Sequence, residues 1–196
     1  MKYPEYVEIE NKKYKINTDF RVAIECNKIA EDENIGDIER AMAIIYKLYG
    51  DEGLNDANNY EKLLELAQKY LSCGKDVDID STEEPDMDYS EDMDYIEASF
   101  MSDYHIDLAN TNMHWWKFFN LMNGLSNSEM GNCCVLNRIR NLRNYNLNDV
   151  KDSKEREKIA KAKKSVELKK YQKKPSKEQQ ESAEKLFSLL NVKKEA

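Results

Sequence analysis

The side chains able to do acid–base, nucleophilic or metal chemistry are few, and their spacing limits what they can do. The 196 residues contain two histidines, His105 and His114, with no His-Glu-x-x-His or His-x-His arrangement to hold zinc. Cys26, Cys73, Cys133 and Cys134 lack paired metal spacing, and a bridge between the adjacent Cys133 and Cys134 would close a strained ring. They read as reduced thiols of a helical core. Asp76, Asp78 and Asp80 imitate the opening of a calcium loop, but Ser81 stands where the sharp turn needs glycine and Met87 where a bidentate Glu should close it. Ser72 and Lys75 have Ser-x-x-Lys spacing, yet they flank Gly74 at a helix end, where Lys and Gly have ordinary terminating roles. No glycine-rich nucleotide cradle is present. The residues therefore predict no catalytic, cofactor or metal site and no enzyme.

The elements that would carry any site are helical. Six Gly and three Pro disfavour turn-rich β architectures, while 40% apolar content is too high for wholesale disorder. Val7, Ile9, Tyr14 and Ile16 alternate with polar residues around Asn11-Lys12, the pattern of a two-stranded hairpin with one buried face. Thr18 or Asp19 can cap a first helix carrying Phe20, Ala23, Ile24 and Ile29. Asp37 can cap a second with Ile38, Ala41, Met42, Ile45, Leu48 and Tyr49 on its apolar face, ended by Gly50 and Gly53. A third, opened by Asn58 or Asn59, runs through Leu63, Ala67 and Tyr70 to Gly74 at the position after the cap.

Charge divides the chain. Residues 1–100 hold 11 basic and 26 acidic side chains, and residues 101–196 hold 19 and 12. Residues 76–97 contain eleven acidic and no basic side chains, so 76–89 is predicted to be an extended acidic linker between a hairpin-plus-helices unit, 1–75, and an aromatic helical unit, 90–148. In the latter, Ser90 can cap one helix, Asn110 or Thr111 the aromatic helix MHWWKFFNLMNG, and Ser126 or Ser128 a third. Residues 149–196 form a basic helical extension. Its stretch 151–177, with twelve basic and four acidic side chains, predicts a long solvated helix. Ser176 and Gln179 suit a capping box for a terminal amphipathic helix bearing Ala183, Leu186, Phe187, Leu189 and Leu190. No stretch is apolar enough to span a membrane, and MKYPEYVEIE lacks the apolar core of a signal peptide, so a cytosolic protein is expected.

The basic stretch could neutralise phosphates, but the whole is acidic, with net charge −8, and no RNA-recognition signature accompanies it. Acidic protein is the better-matched partner, including the chain's own residues 76–97.

The run from Asp94 to Leu142 resembles the bacteriophage gene-product-fifteen family. Tyr95-Ile96, Ala98-Ser99-Phe100, Tyr104 with Ile106-Asp107-Leu108, Gly124-Leu125 and Arg138-Ile139-Arg140 carry the likeness. The most specific piece is the block His114, Trp115, Trp116, Lys117 and Phe118, because adjacent tryptophans are rare. Thr18-Asp19-Phe20-Arg21 is similar to the family's start, and the resemblance covers about residues 5–170. It implies a tail-module protein of long-tailed phages or prophages of Gram-positive hosts, acting as an assembly chaperone for the tape-measure protein in the host cytoplasm. The implied partners are the tape-measure protein and other tail-assembly proteins, with self-association open. A minor structural tail protein retained in the virion is the alternative, followed by a nucleic-acid-binding accessory protein. For contact with the tape measure the most available surface is the terminal stripe Leu186, Phe187 and Leu190.

Overall fold

A computed structural model describes residues 3–32, 34–75, 85–127 and 133–171. The protein is mainly helical. It opens with a hairpin of β1 (Tyr6–Ile9) and β2 (Lys12–Lys15), antiparallel with Val7 opposite Tyr14 and Ile9 opposite Lys12. The turn lies at Glu10-Asn11, one residue before the expected place, with Glu10 at φ 57°. Ile9, Tyr14 and Ile16 are buried, as the alternation requires.

Three helices follow. In α1 (Phe20–Ala30) the Asp19 side chain accepts from the Arg21 amide at 2.9 Å, so Asp19 rather than Thr18 is the cap. Helix α2 (Asp37–Leu54) starts at Gly36, whose amide donates to the Glu39 carboxylate at 3.3 Å; Asp37 sits one position inside the helix instead of capping it. Gly50, at φ 65°, kinks α2 without ending it. Just before the kink, the Leu48 carbonyl accepts from the Asn17 amide at 2.7 Å, which ties the hairpin's exit to α2. Helix α3 (Tyr60–Leu71) ends in two paired turns: Cys73 N–H donates to the Tyr70 carbonyl and Gly74 N–H to Lys69, at 3.0 and 2.8 Å. That is a Schellman ending in which Cys73, at φ 55°, takes the left-handed position expected of Gly74, and Gly74 follows it at φ 70°.

Residues 85–92 are folded turns. The buried Asp88 carboxylate accepts from the amides of Ser90 and Glu91 at 2.7 and 3.0 Å, which caps the turn before α4; Ser90 lies in that turn, and the helix itself starts after Asp92, which makes no side-chain cap bond. Helix α4 (Met93–Tyr104) stops at His105 in the left-handed conformation. Helix α5 is Trp115–Asn123 and α6 is Val135–Asn144, capped by the thiol of Cys134, which accepts from the Asn137 amide at 3.5 Å. Helix α7 (Ser153–Ser165) is capped by Asp152 and has no buried residue. It stops about a dozen residues before the end expected from its charge pattern, having no apolar face to extend against a neighbour.

The core does not divide at the acidic segment. Phe20 of α1 stacks on Phe118 of α5 with centroids 4.5 Å apart, and Phe118 stacks on Phe100 of α4 at 5.2 Å. Helices from both sides of residues 76–89 thus share one aromatic layer. Residues 1–166 form one compact unit. The second unit, 167–196, is described only as far as a short 3-10 turn, Lys169–Tyr171. The extended part of the expected linker, 76–84, and the terminal helix after Pro175 lie outside the described residues.

Candidate functional site

The block His114 to Phe118 is built around the first turn of α5. Residues 18–20 and 113–115 form a short antiparallel bridge: the Trp115 amide donates to Thr18 at 2.8 Å and the Phe20 amide to Met113 at 3.0 Å. Asp19 and His114 stand opposite each other in it, and each caps the helix that begins beside it. His114 Nδ1 accepts from the Trp116 amide at 3.0 Å. Its Nε2 lies 2.9 Å from the Pro4 carbonyl, an acceptor only, which assigns the proton to Nε2. Both nitrogens are therefore engaged by backbone, and Tyr3 stacks on the ring at 5.0 Å. The cap expected at Asn110 or Thr111 is His114 instead, so the helix starts at Trp115.

The two tryptophans act on α3. Trp115 Nε1 donates to the Leu71 carbonyl and Trp116 Nε1 to the Tyr70 carbonyl, both at 2.9 Å. The last carbonyls of a helix have no partner within it, and two neighbouring indoles supply donors here. Trp115 is buried; Trp116 is half-buried, stacking on Tyr70 at 6.2 Å and lying over Gly74, where a Cβ would sit 3.5 Å from its ring. Phe118 is the centre of the aromatic layer, touching Phe20, Phe100, Trp115 and Tyr89. Lys117 points to the exposed side of α5. The block thus ties the leading segment, α1, α3 and α5 together through backbone groups and stacked rings.

Two arginine clamps were not legible as such. Arg21 pairs with Asp19 at 3.2 Å and donates to the carbonyls of Leu108, Ala109 and Thr111, pinning the loop that leads into α5. Arg143 makes a bidentate pair with the buried Asp92, 2.7 Å at both oxygens, and also donates to the carbonyls of Asp86 at 2.8 Å and Val166 at 2.6 Å. Beside it Arg140 holds the Asp86 carboxylate at 3.0 Å. Among the described residues, α6 arginines thus hold the Asp86 and Asp92 carboxylates of the acidic run. The charge pattern matches residues 76–97 to the basic stretch 151–177, whereas the partners seen for Asp86 and Asp92 are Arg140 and Arg143 of α6, outside that stretch.

The thiols face packed surroundings. Burial pushes Cys26 up to about 12 and Cys73 up to about 11, and also raises Cys133. All four cysteines are free, and among the described residues no three His, Cys, Asp or Glu side chains are grouped to hold a metal ion. Among those residues no helix is long and apolar enough to cross a membrane. Leu186, Phe187 and Leu190 lie outside the described residues.

Fold and site together define a mainly helical protein whose signature aromatics serve as fastenings between helices, with the histidine among them acting as a helix cap. More particularly, the chain belongs to the Bacteriophage Gp15 protein family, whose model matches residues 2–168 and so takes in both partners of the Asp19–His114 bridge. Searches of curated proteins and of solved structures find no match.

Proposed function

We propose that this phage protein is a non-catalytic tail-assembly chaperone that binds the tape-measure protein in the host cytoplasm and is released as tail-tube subunits polymerise. Membership of the family gives the phage context. The observation that best supports a non-catalytic role is the engagement of His114: with Nδ1 on the Trp116 amide and Nε2 at Pro4, the motif's one titratable ring is a fastening, not an acid or base facing a substrate. A chaperone of a long helical chain works through apolar stripes at helical spacing, and the sequence places one at Leu186, Phe187 and Leu190.

Co-expression with the tape-measure protein of the same tail module tests the reading. The expected result is a several-fold rise in soluble tape-measure protein, lost when residues 176–196 are deleted, together with the absence of this chain from purified virions by mass spectrometry. Unchanged solubility with and without the full chain would overturn it. Presence in virions at a fixed stoichiometry would assign the protein to the mature tail instead.

A further inference from the structure

Of the six large apolar side chains that stand exposed among the described residues, three lie on one helix at intervals of four: Ile38, Met42 and Tyr46 of α2, 78%, 37% and 49% exposed. Scattered apolar residues on a surface are ordinary, but a row at this spacing forms one stripe. Its origin is visible in α2 itself. Ile38, Ile45 and Tyr49 share a face at spacings of seven and four; Ile45 and Tyr49 are buried, whereas Ile38 projects past the end of the core. The apolar face of α2 therefore runs on for about one turn beyond its buried part, and Met42 and Tyr46 carry the exposed stripe along the margin of that face.

The rim of the stripe is acidic. Asp37 is 97% exposed, Glu39 is exposed on the next position, and Glu31 and Asp32 precede them in the connection from α1. The basic side chains of α2 are both engaged by acidic partners: Arg40 pairs with Asp37 at 2.7 Å, donates to the carbonyls of Asp32 and Ile35 and is only 23% exposed, and Lys47 pairs with Glu25 at 2.5 Å.

We propose that this stripe is a docking surface for an amphipathic helix of another protein, one with apolar residues every three to four positions flanked by Lys or Arg. Charge fixes the flanks, since an acid-rimmed partner would meet Asp37 and Glu39 with like charge. Size argues against a second copy as occupant: three side chains offer a few hundred Å², well short of the roughly 800 Å² per partner that a stable complex buries. A short helical stretch of a longer partner, held also by other contacts, suits a face of this size. The inference rests on α2 alone and does not depend on the tail-assembly reading.

The test uses the full-length chain and a designed 21-residue fluorescent peptide with Leu at helical spacing and Lys on both flanks, followed by anisotropy. Comparators are the same peptide with Glu for Lys, the double variant Ile38→Ser/Met42→Ser, and Met101→Ser, which alters an exposed apolar residue on α4. Circular dichroism and urea midpoints check that the variants remain folded. At least tenfold weaker binding is expected for Ile38→Ser/Met42→Ser and for the Glu peptide, with Met101→Ser within twofold of wild type. Equal binding by wild type and Ile38→Ser/Met42→Ser overturns the proposal. So does a wild-type dimer in sedimentation velocity that Ile38→Ser/Met42→Ser dissolves, because the face would then belong to a second copy.

Discussion

Asp19 and His114, 95 positions apart, face each other across an antiparallel bridge and cap the two helices that diverge from it. The bridge makes the starts of α1 and α5 one structural feature. Either helix losing its cap disturbs the backbone on which the other starts.

Asp19→Ala should cost about 1–2 kcal/mol, the usual worth of an acidic cap, and it also strips Arg21 of its ion pair. His114→Ala should cost a similar amount, removing the cap on α5 and the contact to Pro4. Because the two sites share the bridge, the double variant should lose less than the sum of the single losses, by on the order of 0.5 kcal/mol or more. Urea unfolding of the four proteins measures the coupling. Strict additivity would mean that the caps act independently.

Trp115→Phe and Trp116→Phe remove one indole donor each while keeping an aromatic ring. At Trp115 the Leu71 carbonyl loses its indole donor at a part-buried contact, and the smaller ring leaves space in the fully buried position beside Phe118. A loss of about 2–4 kcal/mol is expected there. Trp116 is half-buried and the Tyr70 carbonyl also receives the Cys73 amide, so about 1 kcal/mol is expected. Chemical denaturation decides the order, and hydrogen exchange at Ser72 to Gly74 should quicken in both variants as the end of α3 loosens.

The helices were readable because their apolar residues recur at helical spacing, and the hairpin because Val7, Ile9, Tyr14 and Ile16 alternate. The starts of helices were harder. Ser, Thr or Asn stood at the expected starts of the helices after residue 89, yet Asp88 caps the turn before α4, His114 caps α5 and Cys134 caps α6, because the bridge and the packed turns decide which side chain reaches an amide. The motif block was recognisable by its rare Trp pair, but its role was not: the carbonyls it meets belong to Tyr70 and Leu71, more than forty positions away, and no local pattern links them. The single core was hidden for a similar reason. Composition shows an acidic interruption at 76–89, whereas the stacking of Phe20 on Phe118 is a fact of tertiary packing. Ile38 and Met42 carried the same periodic signal as Ile45, and only the fold reveals that the core ends between them.

Arg143→Met should be among the most damaging single changes outside the aromatic layer. It leaves the Asp92 carboxylate, 1% exposed, without its bidentate partner, and a buried pair broken on one side costs about 3–5 kcal/mol. The same guanidinium holds the Val166 carbonyl just after α7, so exchange protection at the end of α7 should fall as well. Arg143→Met combined with Asp92→Leu removes both charges and should recover much of the stability. It should not restore protection at α7, since the donor to Val166 remains absent. Recovery of both would show that α7 is held by other contacts.

Asp56 supplies the pH dependence. It accepts from Lys12 Nζ at 2.8 Å and from the Tyr14 hydroxyl at 2.5 Å, with Asn59 beside them, and these bonds to the charged form hold its carboxyl down at about 2. In the unfolded chain it titrates near the ordinary carboxylate value of about 3.9. The folded state therefore binds the proton less readily, and this contribution to stability is complete above about pH 4 and fades as pH falls toward about 2. Asp56→Asn removes the titrating group, so its urea midpoint should fall less steeply than that of wild type between pH 5 and pH 2.5. At pH 7 the variant should be the less stable of the two, because the neutral amide accepts more weakly from Lys12. Parallel curves for the two proteins across the acid range would show that the Lys12–Asp56–Tyr14 cluster does not anchor the hairpin to the start of α3.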